Sequence, residues 1–338
     1  MVETQLLKDC WRALDEELDC GIARFTERCE PAFGKMIRYQ LGWNGNGFDP
    51  ARTGKRIRPL LLLFVTHALE GEWRKALPAA AAVELVHNFS LVHDDIQDRS
   101  ETRRGSDTVW VKWGIAQAIN TGDAMLTLAN LEMALLENSQ EPSIVMAAVR
   151  SLNKATFDLT VGQYLDLAHE KAEDVTMADY FEMVKGKTGA LFAVCFRLGA
   201  LIAGKKPTEL IKYSDLGEKF GLAFQIQDDY LGIWGQHGFT GKTVTGDLLN
   251  RKKTFPVHYA LENLPKARDY WVKHETFTVK DLEWFKNCLE NGAVDKITLA
   301  EIGRIYADST AQLSFLFQGS KSASELFQLL NSLFERNR

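Results

Sequence analysis

The stretch Glu84-Leu-Val-His-Asn-Phe-Ser-Leu-Val-His-Asp-Asp-Ile-Gln-Asp-Arg-Ser-Glu-Thr-Arg-Arg-Gly105 carries an apolar helical pattern into three aspartates, Asp94, Asp95 and Asp98, and then into paired arginines, Arg103 and Arg104. Carboxylates gathered at the end of a hydrophobic helix repel one another and resist desolvation. A buried rim keeps them only where a cation or a hydrogen-bond network compensates their charge. A divalent metal is the simplest compensator. At about 100° per residue, Val83, His87, Ser90, Asp94 and Asp98 share one stripe of the helix, with Asp95 beside it. Two carboxylates one turn apart can thus share metal ions.

On the N-terminal side, residues 4–42 place apolar side chains at helical spacing (Leu7, Trp11, Leu14, Leu18, Ile22), which predicts one or two amphipathic helices. A Gly-, Asn- and Pro-rich loop over 43–53 then delivers Gly54-Lys-Arg-Ile-Arg-Pro59, three cations ahead of an apolar helical run. The helix dipole disfavours cations there, and a bound phosphate would reverse the penalty. Taken alone, a phosphate cradle and a solvated basic loop are equal readings of this motif.

On the C-terminal side, Asn120-Thr-Gly-Asp123 reads as a turn feeding a helix to about Asn138, Pro142 marks a break, Ile144–Glu170 is helical again, and Met177–Ala203 is a long apolar helix. Lys185-Gly-Lys-Thr-Gly189, near the start of that helix, is not a Walker A loop, because Phe181 stands where the first glycine is required. A second apolar helical face ends in Asp228 and Asp229, one turn after Gln225. Two such acidic helix ends predict facing carboxylate walls across a cavity. Residues 238–253 read as a flexible basic loop able to close over a metal-bound anion. Sustained period-two alternation is absent, so the pattern predicts an all-α chain of roughly ten or more helices, in one domain over 1–338.

Of the 338 residues, 46% are hydrophobic and 25% charged, enough for a sizeable core, and the net charge of −5 argues against nucleic-acid binding. The five cysteines (10, 20, 29, 195 and 288) are odd in number, widely spaced and form no CxxC pair, so neither a disulfide framework nor a zinc site is indicated, which fits a reducing cytoplasm. Residues 1–19 are amphipathic rather than leader-like, and the most apolar windows are too short to span a bilayer. The expectation is a cytoplasmic protein without stable membrane insertion.

In this order, Gly54-Lys-Arg-Ile-Arg-Pro59, the HDDIQD…RRG block, NTGD, Gly162-Gln-Tyr-Leu-Asp166, Lys187-Thr-Gly189, Phe224-Gln-Ile-Gln-Asp-Asp229 and GK…GD…KKT over 241–254 resemble the motifs of the trans-isoprenyl diphosphate synthases. The resemblance implies an all-α bundle of antiparallel helices around a deep central cavity. It also implies a homodimer, and Mg²⁺-dependent condensation of isopentenyl diphosphate with dimethylallyl, geranyl or farnesyl diphosphate. Asp94, Asp95 and Asp98 match the first aspartate-rich motif and Asp228 and Asp229 the second, with Asp94, Asp98 and Asp228 as direct ligands of several Mg²⁺ ions. Arg103, Lys187, Lys242 and Lys252 match holders of the allylic diphosphate; Lys55, Arg58, His87 and Arg104 match holders of the homoallylic one. Lys187, Thr188 and Gln225 would lie beside the carbocation. The second motif departs from DDxxD, since Gly232 occupies its third acidic position.

Product length is expected to be set below the first motif, where Ser90 and Val83 are small. Phe89 lies about 140° off the stripe of Asp94, so the wheel does not put it in the tunnel; an aromatic at this position limits elongation in the family. A C20 product is expected, with C15 next. A class I terpene cyclase and a catalytically silent partner subunit are the competing readings.

Overall fold

The structure, a computed structural model, describes residues 4–26, 30–43, 45, 47–172, 174–235, 246–249 and 251–334. Among these described residues it is all-α apart from one two-stranded ribbon and an isolated antiparallel bridge between Trp43 and Phe48. The helices are α1 Gln5–Thr26, α2 Pro31–Gln40, α3 Pro50–Thr53, α4 Ile57–Ala68, α5 Leu77–Gln97, α6 Val109–Trp113, α7 Ile115–Ala134, α8 Pro142–Lys171, α9 Met177–Val184, α10 Ala190–Ile202, α11 Leu210–Trp234, α12 Gly246–Leu249, α13 Phe255–Asn263, α14 Pro265–Lys273, α15 Val279–Asn291, α16 Val294–Leu316 and α17 Ala323–Phe334. Their Cα packing defines two compact units. The first holds residues 1–154, 194–214 and 317–332; the second holds 155–193, 215–316 and 333–338.

The first unit is built on α4 and α5. Leu60–Val65 are at most 2% exposed, and Ala79–Val83 are fully buried, so α5 is apolar on every side over its first two turns. The alanines let α4 and α7 approach α5 closely, and α7 lies along it. The expected NTGD turn is instead the interior of α7. Its glycine serves packing: a Cβ on Gly122 would meet the His93 Nε2 of α5 at 2.3 Å, so the notch left by hydrogen admits that ring.

In the second unit, α9, α11, α13 and α16 share a core of Tyr180, Met183, Val184, Ala223, Ile226, Phe255, Ile302 and Ile305. A second cluster, including Trp271, Phe277, Phe285 and Leu289, staples α13 to α14 and α15. Burying each such side chain stabilises by about 1.5–3 kcal/mol. The expected helix over 177–203 forms, interrupted at Lys185–Gly189 by one turn of π-helix. Among the described residues no helix is long and apolar enough to cross a membrane.

Candidate active site

In the first unit the chemistry gathers where α5 ends. Its last turn carries acidic residues and no basic one, the arrangement that the helix dipole disfavours. Asp98 is the C-cap, its amide donating to the Asp94 carbonyl at 2.8 Å. Directly after it, Thr102–Arg103 pairs with Ser106–Asp107 in a two-residue hairpin. Both turn residues, Arg104 and Gly105, have positive φ (52° and 72°), as the twist of a tight hairpin requires. The ribbon folds Arg103 back onto α5. Its Nε donates to both carboxylate oxygens of Asp95 at 2.9 and 3.0 Å, and its Nη2 lies 2.7 Å from Asp95 Oδ1 and 3.6 Å from Asp94 Oδ2. Asp95 is 1% exposed. Burial raises its pKa, the Arg103 bonds draw it back, and Asp94 and Asp98 push it up.

Arg104 turns the other way, towards the N-terminus of α4. Its Nη1 donates to the Arg52 carbonyl at 2.9 Å, and its guanidinium crosses so close to Gly54 that a Cβ there would lie 2.6 Å from its Cζ. Gly54 also has φ 70°, so two independent constraints require glycine. Arg58, in the first turn of α4, lies 3.3 Å from His87 Nε2 through its Nη1. Because Arg58 can only donate, that nitrogen accepts and the ring is neutral. Burial, then Arg58, Arg104 and Arg103, hold the His87 pKa well below its usual value. Lys55 is exposed just ahead of α4. Unanticipated from sequence is Arg56, wholly buried at φ 43°, 2.5 Å from Asp15 on α1 and stacked over Phe48. Burial drives the Asp15 carboxyl up to about 6 despite that partner. It likewise raises buried Glu84, against the pull of Arg56 and Arg104. Sequence offered no signal for these pairings, which join residues far apart in the chain.

Phe89 is 8% exposed and meets the His93 ring edge-on at 5.3 Å, while half-buried Ser90 donates to the His87 carbonyl at 2.7 Å.

In the second unit, α8 and the π turn touch backbone to backbone. A Cβ on Gly162 would lie 2.0 Å from the Lys187 amide nitrogen, and one on Gly186 would lie 2.8 Å from Gly162 Cα. One turn on from Gly162, Asp166 takes the Lys187 ammonium at 2.5 Å. The GQxxD motif is therefore a seat for Lys187. Thr188 donates to Gln225 Oε1 at 2.6 Å, and Gln225 Nε2 donates to Asp229 Oδ1 at 2.9 Å. Asp229 Oδ2 accepts from the Tyr180 hydroxyl at 2.7 Å and from the Phe255 amide at 2.9 Å. Asp229 is buried while its neighbour Asp228 is half-buried. Lys252, half-buried, precedes Phe255 by three residues. Lys242 lies outside the described residues.

Among the described residues no three His, Cys, Asp or Glu side chains converge as a metal cage. The donors on α5 and α11 are carboxylate oxygens. They suit Mg²⁺, which takes one or two carboxylates, keeps waters and completes its shell with substrate phosphates.

The polyprenyl synthetase model matches residues 50–289, a span that contains every one of these groups except Asp15 and Phe48. The chain belongs to the polyprenyl synthetase family. It is 42% identical over 242 residues to a (2E,6E)-farnesyl diphosphate synthase of Mycobacterium tuberculosis (strain ATCC 25618 / H37Rv), covering 71% of this chain and 66% of that one. The chain thus spans just under two thirds of that relative's length. A geranylgeranyl diphosphate synthase of the same strain is 40% identical over 253 residues, 74% of this chain and 71% of its own. The crystal structure of a polyprenyl synthetase from Streptomyces coelicolor A3(2) superposes with a TM-score of 0.86 at 30% identity, covering 97% of this chain and 98% of that one.

Proposed function

We propose that this polyprenyl synthetase is a Mg²⁺-dependent prenyltransferase that joins isopentenyl diphosphate to an allylic diphosphate and releases geranylgeranyl diphosphate. The observation that carries the reading is the charge at two helix ends: carboxylates where α5 ends and arginines where α4 begins, each at the end its dipole disfavours. Cations answer the first and an anion answers the second. A reaction between a metal-bound diphosphate and a metal-free one needs both.

Asp94 and Asp98 in the first unit and Asp228 in the second would hold Mg²⁺, which when bound would supply neutralising charge to the leaving allylic diphosphate. Arg103, Lys187, Lys242 and Lys252 bind that diphosphate. Asp166 keeps Lys187 in one place, so little ordering remains for the ionisation step. Lys55, Arg58, His87 and Arg104 hold isopentenyl diphosphate. A neutral His87 fits there as a hydrogen-bond partner, with the charge supplied by the arginines. Thr188 and Gln225 set oxygen dipoles against the allylic cation. The released diphosphate removes the final proton.

For product length, small Ser90 and Val83 leave the space below Asp94 open and Phe89, five residues before Asp94, is the proposed floor, favouring C20 over C15. Relatives with both product names stand at similar identity. Phe89→Ala is expected to lengthen the product, and an unchanged distribution overturns the floor. We propose a single catalytic domain and a cytoplasmic homodimer. Exposed Ile115 and Ile119 on α7 in the first unit, and Phe157, Val161 and Tyr164 on α8 in the second, offer apolar surfaces for the partner copy.

The test is incubation of purified protein with Mg²⁺ and allylic diphosphate, with and without isopentenyl diphosphate. Elongated product only with both substrates supports the reading. Hydrocarbon product without isopentenyl diphosphate indicates a cyclase, and turnover only after a second chain is added indicates a silent subunit.

A further inference from the structure

Tyr180 is 1% exposed on the face of α9 that also buries Met183 and Val184, yet its hydroxyl reaches Asp229 at 2.7 Å. The bonds that follow have a fixed polarity. The Phe255 amide can only donate, so Asp229 Oδ2 accepts. If the Gln225 amide were reversed, its carbonyl would face a carboxylate oxygen at 2.9 Å, so Nε2 must point to Asp229 and Oε1 to Thr188. Thr188 must then spend its one proton on Gln225, at 2.6 Å. Neither lone pair of the Thr188 oxygen is used in that bond. Asp229 meanwhile has donors on both oxygens, unlike a carboxylate kept available for a metal.

We infer that Tyr180 and Asp229 are positioning residues: through Gln225 they fix the Thr188 hydroxyl so that its oxygen, and not its proton, faces the electron-poor allylic carbon. The inference rests on the prenyl-transfer reading above. It separates the two adjacent aspartates, giving Asp228 to the metal and Asp229 to this relay.

Asp229→Asn provides the sharpest test. In that variant the new side-chain carbonyl must accept from the Phe255 amide, so its NH₂ faces Gln225. Gln225 then turns its own carbonyl to that NH₂ and its own NH₂ to Thr188, and the Thr188 proton is driven outwards. Steady-state kinetics with both diphosphates and Mg²⁺ should show Asp229→Asn with a lower kcat than Thr188→Val. Adding Thr188→Val to Asp229→Asn should raise kcat again. Tyr180→Phe should lower kcat about tenfold, the cost of one charge-assisted hydrogen bond, with both KM values within about twofold, and should lose little further on the Thr188→Val background. Melting curves identify any variant that does not fold; the cycle with Asp229→Asn then decides independently of Tyr180→Phe, and the reverse. Additive losses in the cycles, as expected if Asp229 ligates the metal, overturn the inference while the prenyl-transfer reading stands. Wild-type protein that makes no elongated product overturns both.

Discussion

Asp94 and Asp95 are neighbours with different surroundings. Asp95 is almost wholly buried and held by two nitrogens of the Arg103 guanidinium, while Asp94 is half-buried and 3.6 Å from the same group. The pair on α11 repeats this: Asp229 is buried under three donors and Asp228 is half-buried. In each pair one carboxylate is tied into the protein and the other is the one proposed to hold a cation. Asp94→Asn and Asp228→Asn should therefore lower kcat at least about a hundredfold, since each removes a charge that acts in the transition state, while moving Tm by no more than about 2 °C. Asp95→Asn should weaken a buried charge-assisted bond worth about 1.5–3 kcal/mol and lower Tm by roughly 5 °C. Steady-state kinetics and thermal melts on the set distinguish the roles; a reversal between neighbours would contradict the assignment.

At the scale of elements, the contact between α8 and the π turn carries Lys187 and Thr188. Gly162→Ala puts a methyl 2.0 Å from a backbone nitrogen that neither helix can withdraw. The expected cost is about 2 kcal/mol or more, visible in denaturant melts, together with a raised KM for the allylic diphosphate through displaced Lys187. Wild-type stability and KM would contradict it. The individual helices are legible in the sequence because their apolar periodicity is strong, as at Leu7, Leu14 and Leu18. The NTGD segment reads as a turn yet folds as helix, because the demand for Gly122 comes from His93, a tertiary neighbour of which local turn propensity takes no account. The hairpin at 102–107 is too short to show alternation. The acidic motifs are legible as clusters of like charge, but the division of labour within each pair depends on Arg103, Tyr180 and Phe255, whose approach is set by packing.

For the molecule as a whole, pH dependence tests whether the buried groups are placed as described. Burial, aided by Lys253, lowers His258 from its usual 6.5 to about 4. Between those values the unfolded chain binds the extra proton, so stability falls as pH drops from about 6.5 towards 4, by about 3 kcal/mol in full. Asp15 and Glu132, raised to about 6 and about 7, act with the opposite sign, favouring the folded state less as pH rises. The difference between wild type and His258→Gln isolates the first effect: the variant should lose less Tm than wild type between about pH 6.5 and about pH 4.5, and equal losses would contradict the placement of that ring. The chemistry is decided by the length of the product made from radiolabelled isopentenyl diphosphate and an allylic primer, with Mg²⁺ or with a chelator. A C20 diphosphate is expected with Mg²⁺ and none with the chelator; label that never enters a longer chain, or elongation unaffected by the chelator, would overturn the proposed reaction.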